Sequence, residues 1–283
     1  MTVTVVTGSS TGIGYATALR LASDGHHVVA TMRNPDACDI ATVAKERGLS
    51  IETRPLDVTD PPSIEDMFRD ILSTHGAVDV LVNNAGIGEG GVVEETDVDV
   101  YRRVMETNFF GALACIKAVL PSMRERGGGC IVNVTSQAGV LAMPNMSPYC
   151  ASKWALEALS ESLAVEVAPF GIRVAVIEPG MILTPIWSKV DMTMPTGPYA
   201  PVRMRLGGVV LEEMQRGSTA DEVADCIADA IVTDTPKLRS LTGWGAERNV
   251  RNRRAVSDER MIELWNGPDD EFKRYMNDDP YVP

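Results

Sequence analysis

The chain predicts an α/β fold, a single doubly wound parallel sheet with helices on both faces. Three observations predict it. Short apolar runs alternate with amphipathic helical patterns through most of the 283 residues. The runs are nearly all apolar rather than alternating, as strands covered on both faces require. The first run also feeds a helix through a turn rich in glycine, which leaves helix N–H groups open toward an anion.

The elements follow in order. Val3, Thr4, Val5 and Val6 form a β-branched strand, and Thr7-Gly8-Ser9-Ser10-Thr11-Gly12-Ile13-Gly14 is the turn. Its glycines fall as G-x-x-x-G-x-G, not as the general dinucleotide fingerprint G-x-G-x-x-G. A helix starts at Ile13, and 27–31 reads as the second strand. A helix over 36–47 stops at Gly48, and 50–55 is the third strand. Thr59 is the expected N-cap of a helix that opens with Pro61 and Pro62 and runs to His75. Strand 78–82 ends in Asn83-Asn84-Ala85-Gly86. A long helical pattern, 98–126, contains Gly111 and Pro121, which predicts a break or kink near the proline. Strand 130–135, helix 148–168 and strand 172–177 follow. Residues 181–217 read as irregular, 219–232 as a helix capped by Ser218 or Thr219, and 237–242 as a last strand. No repeat or linker divides the chain. The expected organisation is a domain over 1–246, with a flap at about 181–217, and a charged tail over 247–283.

Composition narrows the function. Lys and Arg total 26 against 39 Asp and Glu, a net charge of -13, which disfavours nucleic acid as a partner. Five scattered cysteines (Cys38, Cys115, Cys130, Cys150, Cys226) without a C-x-x-C pair fit a reduced, cytoplasmic protein. His26, His27 and His75 form no metal-ligand spacing with Cys or acids, so no metal site is expected. The sequence opens on a strand, so no signal peptide is expected. No apolar run was long enough to suggest a membrane span, and no membrane partner is expected.

In a doubly wound sheet the ligand lies at the carboxyl ends of the strands. That brings together Gly8–Gly14, Met32 and Arg33, Asn83–Gly86, Ser136 and Pro179–Thr184. Nearby, Ser147 and Pro148 open a helix on which Tyr149 and Lys153, four apart, share a face. A free phenol titrates near pH ~10. An ammonium about 4 Å away favours the phenolate by roughly 4 kcal/mol at an effective dielectric of about 20, or about three pKa units. The expectation is therefore a tyrosine acidified by lysine and by the helix N-terminus.

With these residues in view, the sequence resembles the short-chain dehydrogenase/reductase family over about residues 3–184. The resemblance rests on T-G-x-x-x-G-x-G at 7–14, Asp57-Val58, N-N-A-G at 83–86, Asn108, Ser136, Tyr149 with Lys153, and Pro179-Gly180 followed by Thr184. It implies a Rossmann-type sheet and hydride transfer between a nicotinamide cofactor and a carbonyl or alcohol. Tyr149 would be the acid/base, and Ser136 would hold the substrate oxygen. Lys153 would lower the Tyr149 pKa and grip the ribose, and Asn108 would hold a water that links Lys153 to solvent. Cofactor contacts are implied from Gly8, Ser10, Thr11, Gly12, Ile13, Gly14, Arg33, Asp57, Val58, Asn84, Ala85, Gly86, Tyr149, Lys153, Pro179, Gly180, Ile182 and Thr184.

No carboxylate stands at Met32 or Arg33 to bind a ribose 2′-OH, and Arg33 suits a 2′-phosphate, so NADP(H) is favoured with NAD still open. Met181, Met192, Met194, Met204, Met214, Ile186, Trp187 and Tyr199, with Val140, Leu141, Met143 and Met146, suggest a hydrophobic substrate pocket. The nearest subgroup by resemblance is the retinol- and hydroxysteroid-dehydrogenase-like one, which implies a hydrophobic ketone or secondary alcohol. Helices 98–126 and 148–168, paired in the family, imply a homodimer or homotetramer. Two other readings compete. A 3-oxoacyl thioester reductase wants a basic entrance, for which the flap offers only Arg203 and Arg205. A non-catalytic nucleotide-sensing protein is disfavoured by the intact Asn108, Ser136, Tyr149 and Lys153.

Overall fold

The computed structural model describes residues 1–189, 196–278 and 280–282. They form a seven-stranded sheet in the order β3-β2-β1-β4-β5-β6-β7, with every pairing parallel. The strands are β1 Val3–Thr7, β2 His27–Met32, β3 Ile51–Pro55, β4 Val80–Asn83, β5 Gly129–Val134, β6 Ile172–Pro179 and β7 Arg239–Thr242. The chain order reverses between β1 and β4, and the crevice at a doubly wound sheet's mouth opens there.

Each face of the sheet has its own core. Val6, Val28, Ala30, Val82 and Val132 point to one face, where helices α1 (Gly12–Ser23) and α8 (Ala220–Val232) supply Leu21, Val223 and Ile227. Val5, Val29, Leu81 and Ile131 point to the other, against α3 (Pro61–His75), α5 (Gly111–Arg126) and α6 (Ser147–Val167). Adjacent residues of one strand thus enter opposite cores, which is why the runs carry no polar alternation.

The remaining helices are α2 (Ile40–Arg47), α4 (Val98–Met105), α7 (Ala200–Met214), α9 (Ala246–Arg254), α10 (Asp258–Asn266) and α11 (Asp269–Asn277). Several local expectations are corrected. Thr59 is not the cap of α3. Asp60 holds that position, and Thr59 instead donates its N–H (2.9 Å) and hydroxyl (2.7 Å) to Asp57 Oδ1. The helix expected over 36–47 splits into a 3-10 turn, Pro35–Ala37, and α2. Ser147 lies inside α6, after the cap Met146, and its hydroxyl meets Tyr101 Oη at 2.6 Å.

Helix 98–126 does not break at Pro121. That residue is on the solvent side, beside exposed Lys117, whose freed carbonyl water can satisfy. The departure from α geometry comes earlier, in a π turn at Glu106–Phe110. This composite helix is also long and apolar enough to cross a membrane, with mean hydropathy 1.2 over its best window, contrary to the expectation that no run was. In the fold it packs Cys115, Ile116, Val119 and Met123 onto the sheet.

The span 181–217 is less irregular than expected, because it holds the 15-residue α7. Residues beyond 246 are helical rather than a tail. Val256, Leu264, Phe272, Tyr275 and Tyr281 form a third buried cluster with Trp265 packed on it. Asn252, 2% exposed, ties α9 to α11 and to the residues that follow it. Its amide donates to the carbonyls of Tyr275 and Asp278 (2.8 Å each), and its oxygen accepts the Tyr281 N–H (3.0 Å).

Candidate active site

The turn after β1 is locked to the loop after β4. Thr7 is the hub: its hydroxyl accepts the N–H groups of Asn84 and Ala85, each at 3.0 Å. Asn84 Nδ2 returns bonds to the carbonyls of Thr7 (2.9 Å) and Gly8 (3.2 Å). Gly8 has φ +70, and a Cβ there would lie 2.7 Å from Ala85 Cα. A Cβ on Gly14 would lie 2.4 Å from Asn84 Nδ2. These glycines therefore serve turn-to-turn packing as well as any ligand.

Thr11 caps α1 with extended backbone and no side-chain capping bond, so first-turn N–H groups stay open for an anion. Thr184 faces this end, its Cγ2 3.3 Å from where a Gly12 Cβ would be. Ser10 and Thr11 are exposed, and Ile13 is half-buried beside the core. Arg33, exposed, follows β2, and its charge helps hold the Asp57 carboxyl below its usual range, after the two Thr59 hydrogen bonds. Val58 packs against the α3–α5 core. Ile182 is a correction: its side chain is a core member, 4% exposed, which leaves only its backbone for a cofactor.

Asn108 sits in the π turn, 1% exposed. Its Oδ1 accepts the Ile87 N–H (2.8 Å), and its Nδ2 donates to Ile87 O and Ser152 Oγ, both at 3.0 Å. Both amide protons are thus engaged by protein, so Asn108 clamps the β4 loop to α6. Lys153, 5% exposed, donates from Nζ to Val134 O at 2.9 Å. Asn108 and Lys153 converge on Gly86, where an added Cβ would lie 3.2 Å from Asn108 Oδ1 and 3.7 Å from Lys153 Nζ. Tyr149 stands one turn before Lys153, with Nζ 5.7 Å from its ring centroid, and Ser136 is near enough to draw the pKa of its phenol down. Ser136 Oγ also accepts the Ala138 N–H (3.1 Å) and lies 3.4 Å from Pro179 O. Gly180 N–H bonds Thr242 O at 2.8 Å, which fixes this strand end against β7.

The electrostatics differ from the expected acidified phenol. Burial pushes Tyr149 up to about 12, although the Ser136 hydrogen bond draws it down. Burial pushes Lys153 down to about 8, opposed by the Glu157 charge. In the protein alone, desolvation of both groups outweighs their attraction.

Two polar clusters escaped the sequence reading. Thr135 Oγ1 donates to Glu157 Oε1 (2.6 Å), and Arg239 Nε donates to Glu157 Oε2 (2.9 Å) and lies 3.6 Å from Glu178 Oε1. Glu157 follows Lys153 by four residues, so the shared helix face was a readable signal. Glu178, 2% exposed, is pushed up to about 7 by burial and by Glu157. In the second cluster, Asn249 Nδ2 bridges Gln137 Oε1 (3.0 Å) and Glu213 Oε1 (2.9 Å), and Arg248 joins Glu213 at 3.0 Å. It docks α9 on the residue after Ser136, a long-range contact with no local signature.

An open cleft of about 490 Å³ is lined by Val92, Val93, Glu94, Pro144, Asn145, Tyr199 and Val202, none of them a member of the Asn108, Ser136, Tyr149 and Lys153 set. Tyr199 lines this cleft, and its hydroxyl bonds Glu94. A second, smaller cavity is lined by Leu141, Met143, Met261, Trp265 and Tyr275 together with Glu213 and Asn249, so the last helices form part of its wall. Met181 is buried, with its strand segment bridged to Trp244, whereas Met204 is 49% exposed. Met192 and Met194 lie outside the described residues. Arg203 pairs with Glu95, and Arg205 donates to the carbonyls of Leu264, Trp265 and Gly267 and pairs with Asp269. Both flap arginines are therefore engaged, which weakens the carrier-thioester reading.

The expectation that no histidine clusters with an acid is also corrected. His27, Glu52 and His75 converge, their potential ligand atoms all within 4.8 Å of one another. They come from three separate elements, so spacing in the sequence could not show it.

Comparison with known proteins agrees with this geometry. The sequence model of the short chain dehydrogenase family matches residues 2–195. An uncharacterized oxidoreductase of Bacillus subtilis, YusZ, is 39% identical over 278 residues, covering 90% of this chain and 99% of the relative. A 3-ketodihydrosphingosine reductase of Bacteroides thetaiotaomicron is 35% identical over 242 residues, covering 84% and 87%. Among solved structures, an alcohol dehydrogenase from Thermococcus sibiricus complexed with 5-hydroxy-NADP superimposes with a TM-score of 0.72 at 27% identity, covering 86% of this chain and 96% of that one.

Proposed function

The chain belongs to the short chain dehydrogenase family, and from that premise we propose an NADP(H)-dependent oxidoreductase acting on a hydrophobic ketone or the corresponding secondary alcohol. The observation that carries the proposal is the convergence of Asn108 and Lys153 on Gly86, with the Tyr149 ring 5.7 Å from Lys153 Nζ one helical turn away. NADP(H), when bound, supplies or accepts the hydride. The residues present fit it: an uncapped helix N-terminus for phosphate, Arg33 for a 2′-phosphate, and a close approach at Gly86.

The protein's own part is proton handling and orientation. Ser136 directs its hydroxyl at the substrate oxygen, and Tyr149 gives that oxygen a proton during reduction and takes it back during oxidation. Lys153, held by Val134 O, presents positive charge beside the phenol and a donor to the ribose. Asn108 is a positioning residue, because its side chain already joins the Ile87 backbone to Ser152. A water on the proton path would rest on backbone carbonyls of the π turn or on the second lone pair of Oδ1. The apolar cleft and the name of the Bacteroides relative both support carbonyl reduction. The protein acts as a homo-oligomer, a reading supported by exposed Phe110, Trp154 and Val165 on the two long helices, and the scattered free cysteines are in keeping with a reducing cytoplasm.

The test is NADPH consumption or NADP reduction across a panel of apolar ketones, aldehydes and secondary alcohols. Tyr149→Phe should abolish turnover while NADPH binding, followed by fluorescence, stays nearly intact. Turnover surviving in the variant would remove Tyr149 from the chemistry.

A further inference from the structure

At the end of the sheet remote from the cofactor mouth, three side chains meet. His27 opens β2, Glu52 lies on the neighbouring edge strand β3, and His75 is the last residue of α3. We propose that His27, Glu52 and His75 bind one divalent transition-metal ion of the Zn²⁺ class.

The chemistry of the set is right for it. Two imidazoles and one carboxylate suit Zn²⁺, and three protein ligands leave a fourth tetrahedral position to water. His75 Nε2 lies 3.2 Å from Glu52 Oε1, close to the edge of roughly 3.3 Å that bonds of about 2.0 Å give a tetrahedron. His27 Nε2 lies 3.9 Å from Glu52 Oε2, so a movement of about 1 Å or less completes that pair. The side chains are 16–26% exposed, which leaves an entry path and room for the solvent ligand.

A second observation points to a ligand independently. His27 Nε2 is buried and has no hydrogen-bond partner, an uncommon state for a ring nitrogen. The other ring nitrogen, Nδ1, meets Ser50 Oγ at 2.7 Å. When Nδ1 donates that bond, the imidazole is oriented and Nε2 keeps its lone pair, as an outer partner does for a metal-bound histidine. The two imidazole rings are 4.7 Å apart and tilted by 42°, and one ligand atom from each lies within 4.8 Å of the other and of Glu52. The opposing feature is Arg54. Its Nε lies 3.6 Å from Glu52 Oε1, and its Nη1 lies 3.4 Å from Asp70, so it retains a carboxylate if a metal takes Glu52. A metal here would fasten the end of α3 to the exposed edge of the sheet.

The test uses the full chain after chelator treatment, dialysed against Zn²⁺ and assayed for bound metal, with Co²⁺ absorption as a spectroscopic readout. Wild type should hold one equivalent, and its melting temperature should rise with Zn²⁺. His75→Ala and Glu52→Gln should each weaken binding about tenfold or more and lose the thermal shift. Cys38→Ser, which removes a partly exposed thiol, should change neither. No stoichiometric metal in wild type would overturn the proposal and leave an ordinary imidazole–carboxylate network. So would full affinity in both His75→Ala and Glu52→Gln, or loss of binding only in Cys38→Ser. Circular dichroism of each variant separates lost binding from lost folding.

Discussion

Replacing Lys153 by methionine keeps an unbranched stem of similar length and deletes the ammonium. The buried amine is pushed down to about 8 from 10.5, so at pH 7 the fold carries a charge it would shed if it could. A gap of about 2.5 pH units at about 1.36 kcal/mol each is a cost of about 3 kcal/mol. The substitution also loses the bond to Val134 O, worth about 1–2 kcal/mol net. Glu157 is not stranded, because Arg239 and Thr135 still face its carboxylate. Lys153→Met should therefore be inactive yet more stable than wild type by about 1–2 kcal/mol at pH 7, trading activity for stability. The pH dependence has a definite sign. Between about pH 8 and 10.5 the unfolded lysine keeps its proton and the folded one has lost it. Wild-type stability rises with pH across that window, and the gap to the variant closes. Urea unfolding of both proteins at pH 7 and pH 10, followed by tryptophan fluorescence, measures it. A variant less stable than wild type at pH 7, or a gap that ignores pH, would refute the argument that desolvation governs this lysine.

Three further outcomes are expected. Arg33→Ala should raise the KM for NADPH about tenfold or more and leave that for NADH nearly unchanged, since only the former offers a phosphate; steady-state kinetics with both cofactors decides, and an unaltered preference counts against Arg33. Gly14→Ala forces a Cβ to 2.4 Å from Asn84 Nδ2 and disturbs two hydrogen bonds, which should cost about 2–4 kcal/mol and weaken NADPH binding, read by thermal melting and fluorescence titration. Glu178, pushed up to about 7 from 4.5, holds its proton in the fold after the unfolded chain has released it, so wild-type stability falls as pH rises from 4.5 through 7. Glu178→Gln should match wild type near pH 5 and exceed it at pH 8; parallel stability curves would show that the carboxyl is already ionised.

The fold was legible because parallel strands with two covered faces must be apolar at consecutive positions, and Val3–Val6 and Val28–Ala30 say so without any partner in view. The Tyr149 and Lys153 pairing was legible because both lie on one helix, where spacing is geometry. What stayed hidden depends on sums over distant atoms. The direction of the Tyr149 and Lys153 pKa values follows from burial, which a helical spacing does not report. The last helices were read as a charged tail because α9, with its run of arginines, has little apolar character of its own, and Leu264, Phe272, Tyr275 and Tyr281 are divided among short segments. Helix α7 was hidden by Pro201, Gly207 and Gly208, each poor helix formers, and tertiary contacts from Arg203 and Arg205 help hold it. The π turn around Asn108 has no propensity signature. The amide's three bonds to Ile87 and Ser152 accompany it.

The tying of α9 to α11 and the segment after it through Asn252 has a consequence for the smaller cavity. Leu141 and Met143 wait for Met261, Trp265 and Tyr275 to enclose the smaller cavity. The two sides of that cavity lie far apart in the sequence, so it is enclosed only once the last helices have packed. Tyr281, closing onto Asn252, fastens from the far end of the sequence a wall whose other side begins at Leu141.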